Sequence, residues 1–343
     1  MRAFGMVAAF ALASACLSSF GQGGSYREKD WQEICQQAAH GPLAAPDLDG
    51  PLPASKLASC NGQELYYGFH GKPDYAAALQ CAWYERDHPN PGEANMFYGP
   101  GVLTMLYANG QGVPRNYDMA IRFACEQDWA SNAEMELRVG HLEALRDGRA
   151  ERSHFDLCDD ITSGVSMGAC TAIQTSRADA KREQEIRAIT AEFPDSARVA
   201  FERLRKAEAA FEEARSGSEI DLSGTARGMF ELEERKRLGD RFLANLQRLG
   251  SGDLPKVTDS ELAQLGRALN SVYEDIQHAP AQAWHYGTIK PEGIRETERT
   301  WVALEDAWVE FAKQAYPKVD PNAVRAQIIG QRLRQLRSLA PKE

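Results

Sequence analysis

The sequence predicts an all-α protein, with a disulfide-stapled short solenoid of helical repeats followed by an antiparallel helical bundle. Three observations carry that prediction. Apolar residues recur at helical spacing in two neighbouring stretches: Leu262, Leu265, Leu269, Val272, Tyr273 and Ile276, then Ile294, Trp301, Leu304, Trp308, Phe311 and Ala315. Before them, a skeleton of aromatic, glycine turn, Asp or Asn with Tyr, and close-packing alanine appears twice. Tyr75 and Ala78 match Tyr117 and Ala120 at one offset of 42 residues, a spacing that suits stacked helix-turn-helix units. Finally, the cysteines end at Cys170, after which Ala, Glu, Arg and Leu dominate, the makeup of long helices.

With 343 residues the chain is long enough for two domains, read here as 25–175 and 177–343. Lys and Arg number 39 against 49 Asp and Glu, a net charge of −10. Such a balance disfavours nucleic acid and anionic lipid and favours a cationic protein partner. The first 21 residues read as a signal peptide: Arg2, an apolar run too short to span a bilayer, then small residues. Cleavage is expected after Gly21. Cleavage after Ala15 is the alternative, and a third reading is lipidation of Cys16, the one route by which the chain would meet a membrane. Export to the periplasm is therefore expected.

Removing the leader takes Cys16 with it and leaves an even set: Cys35, Cys60, Cys81, Cys125, Cys158 and Cys170. In an oxidising compartment this is a disulfide framework. No two of these cysteines have the spacing of a zinc knuckle, so no metal is expected. Cys158 and Cys170 flank a turn and are the pair expected to bond to each other; sequence leaves the rest open.

In chain order, Trp31, Ile34 and Cys35 anchor a first helix, and a Pro/Gly/Ala-rich linker ends near residue 55. The two repeat copies follow. Leu106-Tyr107-Ala108-Asn109-Gly110-Gln111-Gly112-Val113-Pro114, with Tyr117 and Ala120, resembles the Sel-one-like repeat, a relative of the tetratricopeptide repeat. Thr104 stands where that family usually has glycine, and the first copy has a shorter turn. A degenerate third copy is expected from Ala133, with a partner helix near Phe155. The resemblance implies a binding scaffold rather than an enzyme. Asp156, Asp159 and Asp160 lack the alternating oxygen ligands of a calcium loop and read as residues near a helix cap, with a turn at Ser163-Gly164.

A linking helix is expected over 177–192, stopping before Pro194. Asp195 or Ser196 should cap the next, with Val199, Leu204, Ala207 and Phe211 inward. After a polar loop, Ser216 to Arg227, comes a helix carrying Met229, Phe230, Leu238, Phe242, Leu246 and Leu249. The two amphipathic stretches then form an antiparallel hairpin, and a last helix is expected over 319–339 with Val324, Ile328, Leu333 and Leu336 inward.

Leu269, Asn270 and Tyr273, then Trp301 with Asp306, then Arg332 make an order that is similar to the LprI-type lysozyme-inhibitor domain over about 200–340. Glu305 replaces that family's arginine, and no cysteine follows. Lys206 to Phe211, with Arg215 four on, echoes the Trp301 helix. The resemblance implies an envelope-facing protein that binds a target, in some members a lysozyme; no cofactor is expected.

On that reading the partner-binding candidates are polar loop residues. Glu219, Asp221, Ser223, Thr225 and Arg227 crowd one loop; His285, Tyr286 and Lys290 occupy another. The first loop has an ordinary alternative, in which Asp221 or Ser223 caps the following helix. None of the seven histidines sits in His-Glu-x-x-His, and no nucleophile elbow or phosphate loop occurs. Two functions from different classes stay open: inhibition of a basic lysozyme by loop insertion, and a scaffold or adaptor role without inhibition.

Overall fold

In a computed structural model of the protein, residues 30–340 are described apart from 42, 44, 45, 47–49, 70, 90–95, 128, 129, 152, 153, 285 and 286. The expected leader with Cys16, and the loop residues His285 and Tyr286, lie outside the described residues. Every regular element among the described residues is helical.

The repeat pattern reappears in the backbone. The helix α1 (Trp31–Ala39) and the short α2 (Ala54–Leu57) precede the first pair, α3 (Gly62–Tyr67) and α4 (Tyr75–Asp87). The second pair is α5 (Pro100–Asn109) and α6 (Tyr117–Cys125). Each first helix ends on a left-handed glycine, Gly68 or Gly110, both at φ 67°. Each second helix is N-capped by a side chain that accepts from a backbone amide, Asp74 from Ala77 and Asn116 from Met119. The amide of Asp74 donates to the Leu65 carbonyl at 3.0 Å and that of Asn116 to the Tyr107 carbonyl at 2.9 Å, so the turn is built the same way twice. Gly112, at φ 68°, is where the copies meet: a Cβ there would stand 2.5 Å from the Tyr75 carbonyl oxygen.

The expected third copy is half present. Its first helix is α7 (Asn132–Arg146), but Phe155 leads only into a 3-10 turn, Leu157–Asp160, in which Asp156 and Asp159 cap each other's backbone. The next helix, α8 (Gly164–Thr190), starts well before the expected linking helix. Ser163 is its N-cap rather than part of a turn, and buried Glu134 of α7 accepts from the amides of Thr162 and Ser163 at 3.0 and 2.8 Å. A carboxylate thus neutralises the positive end of a long helix.

Three disulfides staple this half: Cys35–Cys125, Cys60–Cys81 and, as expected, Cys158–Cys170. The first closes a separation of 90 residues and ties α1 to α6. In the chain-entropy picture a loop that long contributes about 4–5 kcal/mol. Such bonds persist in an oxidising compartment, not in a reducing one. No helix among the described residues is long and apolar enough to cross a membrane.

The remaining helices are α9 (Asp195–Ser218), α10 (Arg227–Ser251), α11 (Asp259–His278), α12 (Pro291–Ala315) and α13 (Pro321–Leu339). Successive helices reverse direction, which makes a bundle. One apolar core runs from Ile34 to Ile173, and a second from Ile186 to Leu339 with Trp308, Phe311 and Phe242 at its centre. Partners along the bundle are not all sequence neighbours. α9 lies antiparallel along α12, with Phe201 and Phe311 centroids 5.5 Å apart. α8 runs parallel to α10, joined by Arg182 and Asp240 at 2.9 Å. A Cβ on Gly164 would stand 2.4 Å from the Thr225 backbone, so glycine permits that approach.

Three expectations are corrected. α11 and α12 do not pack along each other: α11 lies on α13, and the two meet only near their connection, where Arg295 donates to Gln277 at 2.7 Å. Pro194, not Asp195 or Ser196, occupies the N-cap of α9. Val199 and Phe230, expected inward, are 54% and 43% exposed, because α9 and α10 bury narrower faces centred on Phe201 and Phe242.

Candidate functional site

The two polar loops selected from sequence meet at one end of the bundle, joined by residues 66 to 68 positions apart in the chain. Helix α9 continues through Ser218, so the loop is shorter than the expected 216–227. Its first free turn is then pinned to residues 287–290. The Leu222 amide donates to the Thr288 hydroxyl at 2.8 Å, and the Thr288 hydroxyl donates to the Ile220 carbonyl at 3.3 Å. Asp221 accepts from the Ser223 amide at 2.9 Å and the Thr288 amide at 3.3 Å. These donors hold its carboxyl below the usual carboxylate range, Ser223 contributing most. Asp221 therefore fastens two loops together and caps no helix; Ala226 precedes α10 without a side-chain cap.

What this leaves facing outward is Ser223, Thr225, Arg227, Thr288 and Lys290, all exposed. Arg227 opens α10 and donates to the Gly224 carbonyl at 3.2 Å; Lys290 sits at the N-cap of α12. The rim thus presents hydroxyls and two cations on a fastened backbone. His285 and Tyr286, expected beside Lys290, lie outside the described residues.

Glu219 takes a different part from the exposed one expected of it. It is 2% exposed and receives Arg332 of α13 in a two-pronged pair, at 2.6 and 2.8 Å. Arg215, one turn earlier on α9, also donates to it, and donates its Nε to Glu234 of α10 at 2.7 Å. Arg332 completes its shell with Glu298 of α12 at 2.8 Å and lies over the Phe211 ring at 5.6 Å. Burial opposes the Arg332 charge, but Glu219 and Glu298 outweigh it and hold the pKa above the ordinary arginine range. Burial likewise raises the Glu298 carboxyl, with Arg332 pulling the other way. Alternating charges therefore lock four helices directly beneath the joined loops. That supplies a rigid base for a binding rim, and Glu219 belongs to the base.

The other motif residues sort by burial. Leu269 and Trp301 are in the core, Tyr273 is packed at its edge, and Asn270 is exposed. Asp306 is exposed and accepts from Arg325 at 3.2 Å, while neighbouring Glu305 accepts from the same arginine at 2.8 Å. An ion-paired stripe accounts for both. In the N-terminal half, Asp160 holds His141 at 3.0 Å, and no group of three or more metal-ligating side chains gathers among the described residues.

A second concavity, about 900 Å³, lies between the first repeat and α8, walled by Tyr67, Phe69 and Pro73 on one side and Arg177, Lys181 and Gln184 on the other. Sequence reading gave no sign of it, since its walls come from stretches a hundred residues apart.

No protein-family model, curated protein or solved structure matches the chain.

Proposed function

We propose that the protein is an exported, non-enzymatic binding protein whose joined loops form the contact surface for a basic lysozyme, related to the LprI-type inhibitors. The observation that carries this reading is the fastening of 220–223 to 288 above the buried Arg332–Glu219 pair. A binding rim whose backbone is fixed in advance loses little conformational entropy on docking. The rim's chemistry suits the target: a lysozyme cleft carries two carboxylates, which Arg227 and Lys290 would meet. The acidic remainder of the chain would draw a basic enzyme in from a distance. The disulfides fit a working place outside the reducing cytoplasm; the periplasm is the compartment the leader points to.

The test is a calorimetric titration of the leader-free, oxidised chain with a basic lysozyme at low salt. The reading expects saturable binding, weakened about tenfold or more when Arg227 and Lys290 are both replaced by Glu. Binding that ignores both reversals would remove the rim from the account.

The groove between the first repeat and α8 favours a second reading, an envelope scaffold that holds an extended segment of another protein. It differs in one measurable respect: a scaffold bound to lysozyme, or to any enzyme, would leave its activity intact.

A further inference from the structure

Within this acidic chain one surface is strongly basic. A groove of about 490 Å³ opens between α10 and α13, and no Asp or Glu lines it. Arg237, Arg241 and Arg248 reach it from α10 and Arg334 from α13. Asn245 and Gln331 also line it and are locked by a reciprocal amide pair: Asn245 Nδ2 donates to Gln331 Oε1 at 3.1 Å, and Gln331 Nε2 donates to Asn245 Oδ1 at 2.7 Å. Donors placed on two helices and backed by a satisfied amide pair are preorganised rather than loose.

The arginines are not equivalent. Arg237 is answered by Glu234, and Arg248 approaches exposed Asp253 only at 3.9 Å. Arg241 and Arg334 have no carboxylate within ion-pair distance among the described residues, whereas Arg182, Arg205, Arg325 and Arg332 each face one. Burial, then the charge of Arg215, pushes Arg241 below the ordinary arginine range; the charges of Glu234 and Glu208 pull the other way without reversing it, and Arg334 adds a smaller push downward. Like charges held together at the edge of a bundle cost stability unless something neutralises them. The guanidinium fork matches the planar or tetrahedral edge of an oxyanion, and the groove volume suits a small ligand.

We propose that this groove binds a small multivalent oxyanion, a molecule with two or more phosphate or carboxylate groups, held by Arg241 and Arg334 with Arg248 at the mouth. No residue of the loop rim lines the groove; Arg215, at one end of it, belongs to the base beneath the rim but is already paired with Glu219 and Glu234, so the two proposals can fail separately.

The probes are inorganic pyrophosphate and citrate, titrated separately into the oxidised, leader-free chain in a low-salt buffer free of both. Binding at one site with an affinity that falls as salt rises is expected, together with a rise in melting temperature. Stronger binding of pyrophosphate assigns a phosphorylated ligand, and stronger binding of citrate a polycarboxylate. Arg241→Gln and Arg334→Gln should each weaken the preferred probe about tenfold. Arg334 is exposed and has no carboxylate within ion-pair distance among the described residues, so its variant keeps the test alive should Arg241→Gln fold poorly. Failure of both anions to bind at millimolar concentration, or binding that neither substitution alters, would overturn the proposal.

Discussion

Glu208 on α9 is buried against Phe211 and Trp301 with no hydrogen bond or ion pair among the described residues. Burial, reinforced by the charge of Glu212, pushes its carboxyl from the ordinary 4.5 up to about 8. The fold therefore prefers the protonated acid. Its contribution to stability is complete below about pH 4.5 and is lost as the pH rises towards about 8. The melting temperature should fall over that interval, and Glu208→Gln, a neutral mimic, should flatten the fall; an unchanged profile in the variant would remove Glu208 as its source. Arg332 gives the opposite case, a buried charge fully answered. Arg332→Met leaves the half-buried Glu298 without its cation and the buried Glu219 with Arg215 alone, and should cost about 3–5 kcal/mol in urea unfolding. Lysine should rescue little, because a single ammonium cannot reproduce the two-pronged pair. Such roles were only partly legible in the sequence. Leu269 and Trp301 show their burial through helical spacing, whereas Glu219 reads as one more polar loop residue because its partner lies 113 positions away.

At the scale of elements, the repeat was the most legible feature, since its turn glycines, capping Asp and Asn, and small residues are all local requirements. Gly112 tests it. The position combines a left-handed backbone with a Cβ site 2.5 Å from the Tyr75 carbonyl. Gly112→Ala should therefore destabilise the N-terminal core by about 2–4 kcal/mol, from conformation and overpacking together. Gly217→Ala, with φ unremarkable and nothing within 4 Å of the new Cβ, should do no harm; an equal loss in both would refute the close-contact argument. Helix limits were less legible. Gly164, expected in a turn with Ser163, is instead the first residue of α8, where the backbone of Thr225 comes too close for a side chain. The pairing of α11 with α13 was hidden for a similar reason. An amphipathic face declares that it will be buried, and its partner depends on the whole bundle.

For the whole molecule, the cysteine distribution foretold where covalent support is needed. All three disulfides fall in the core from Ile34 to Ile173, built on short helices, and none in the core of long helices that follows. Short helices bury less apolar surface each and gain more from a constrained unfolded chain. The arginine groove was hidden, because Arg334 lies on another helix 86 residues beyond Arg248 and the arginines average into an acidic composition. The loop rim was half legible: sequence supplied both stretches, and only the fold brought Asp221 to Thr288. The central claim is that this rim binds and blocks a basic lysozyme. Its most direct test is cell-wall lysis by several lysozymes with and without the oxidised, leader-free chain. The account predicts dose-dependent protection against at least one enzyme, lost on replacing Arg227 and Lys290 by Glu. Undiminished lysis by every enzyme at large molar excess of the chain would contradict it.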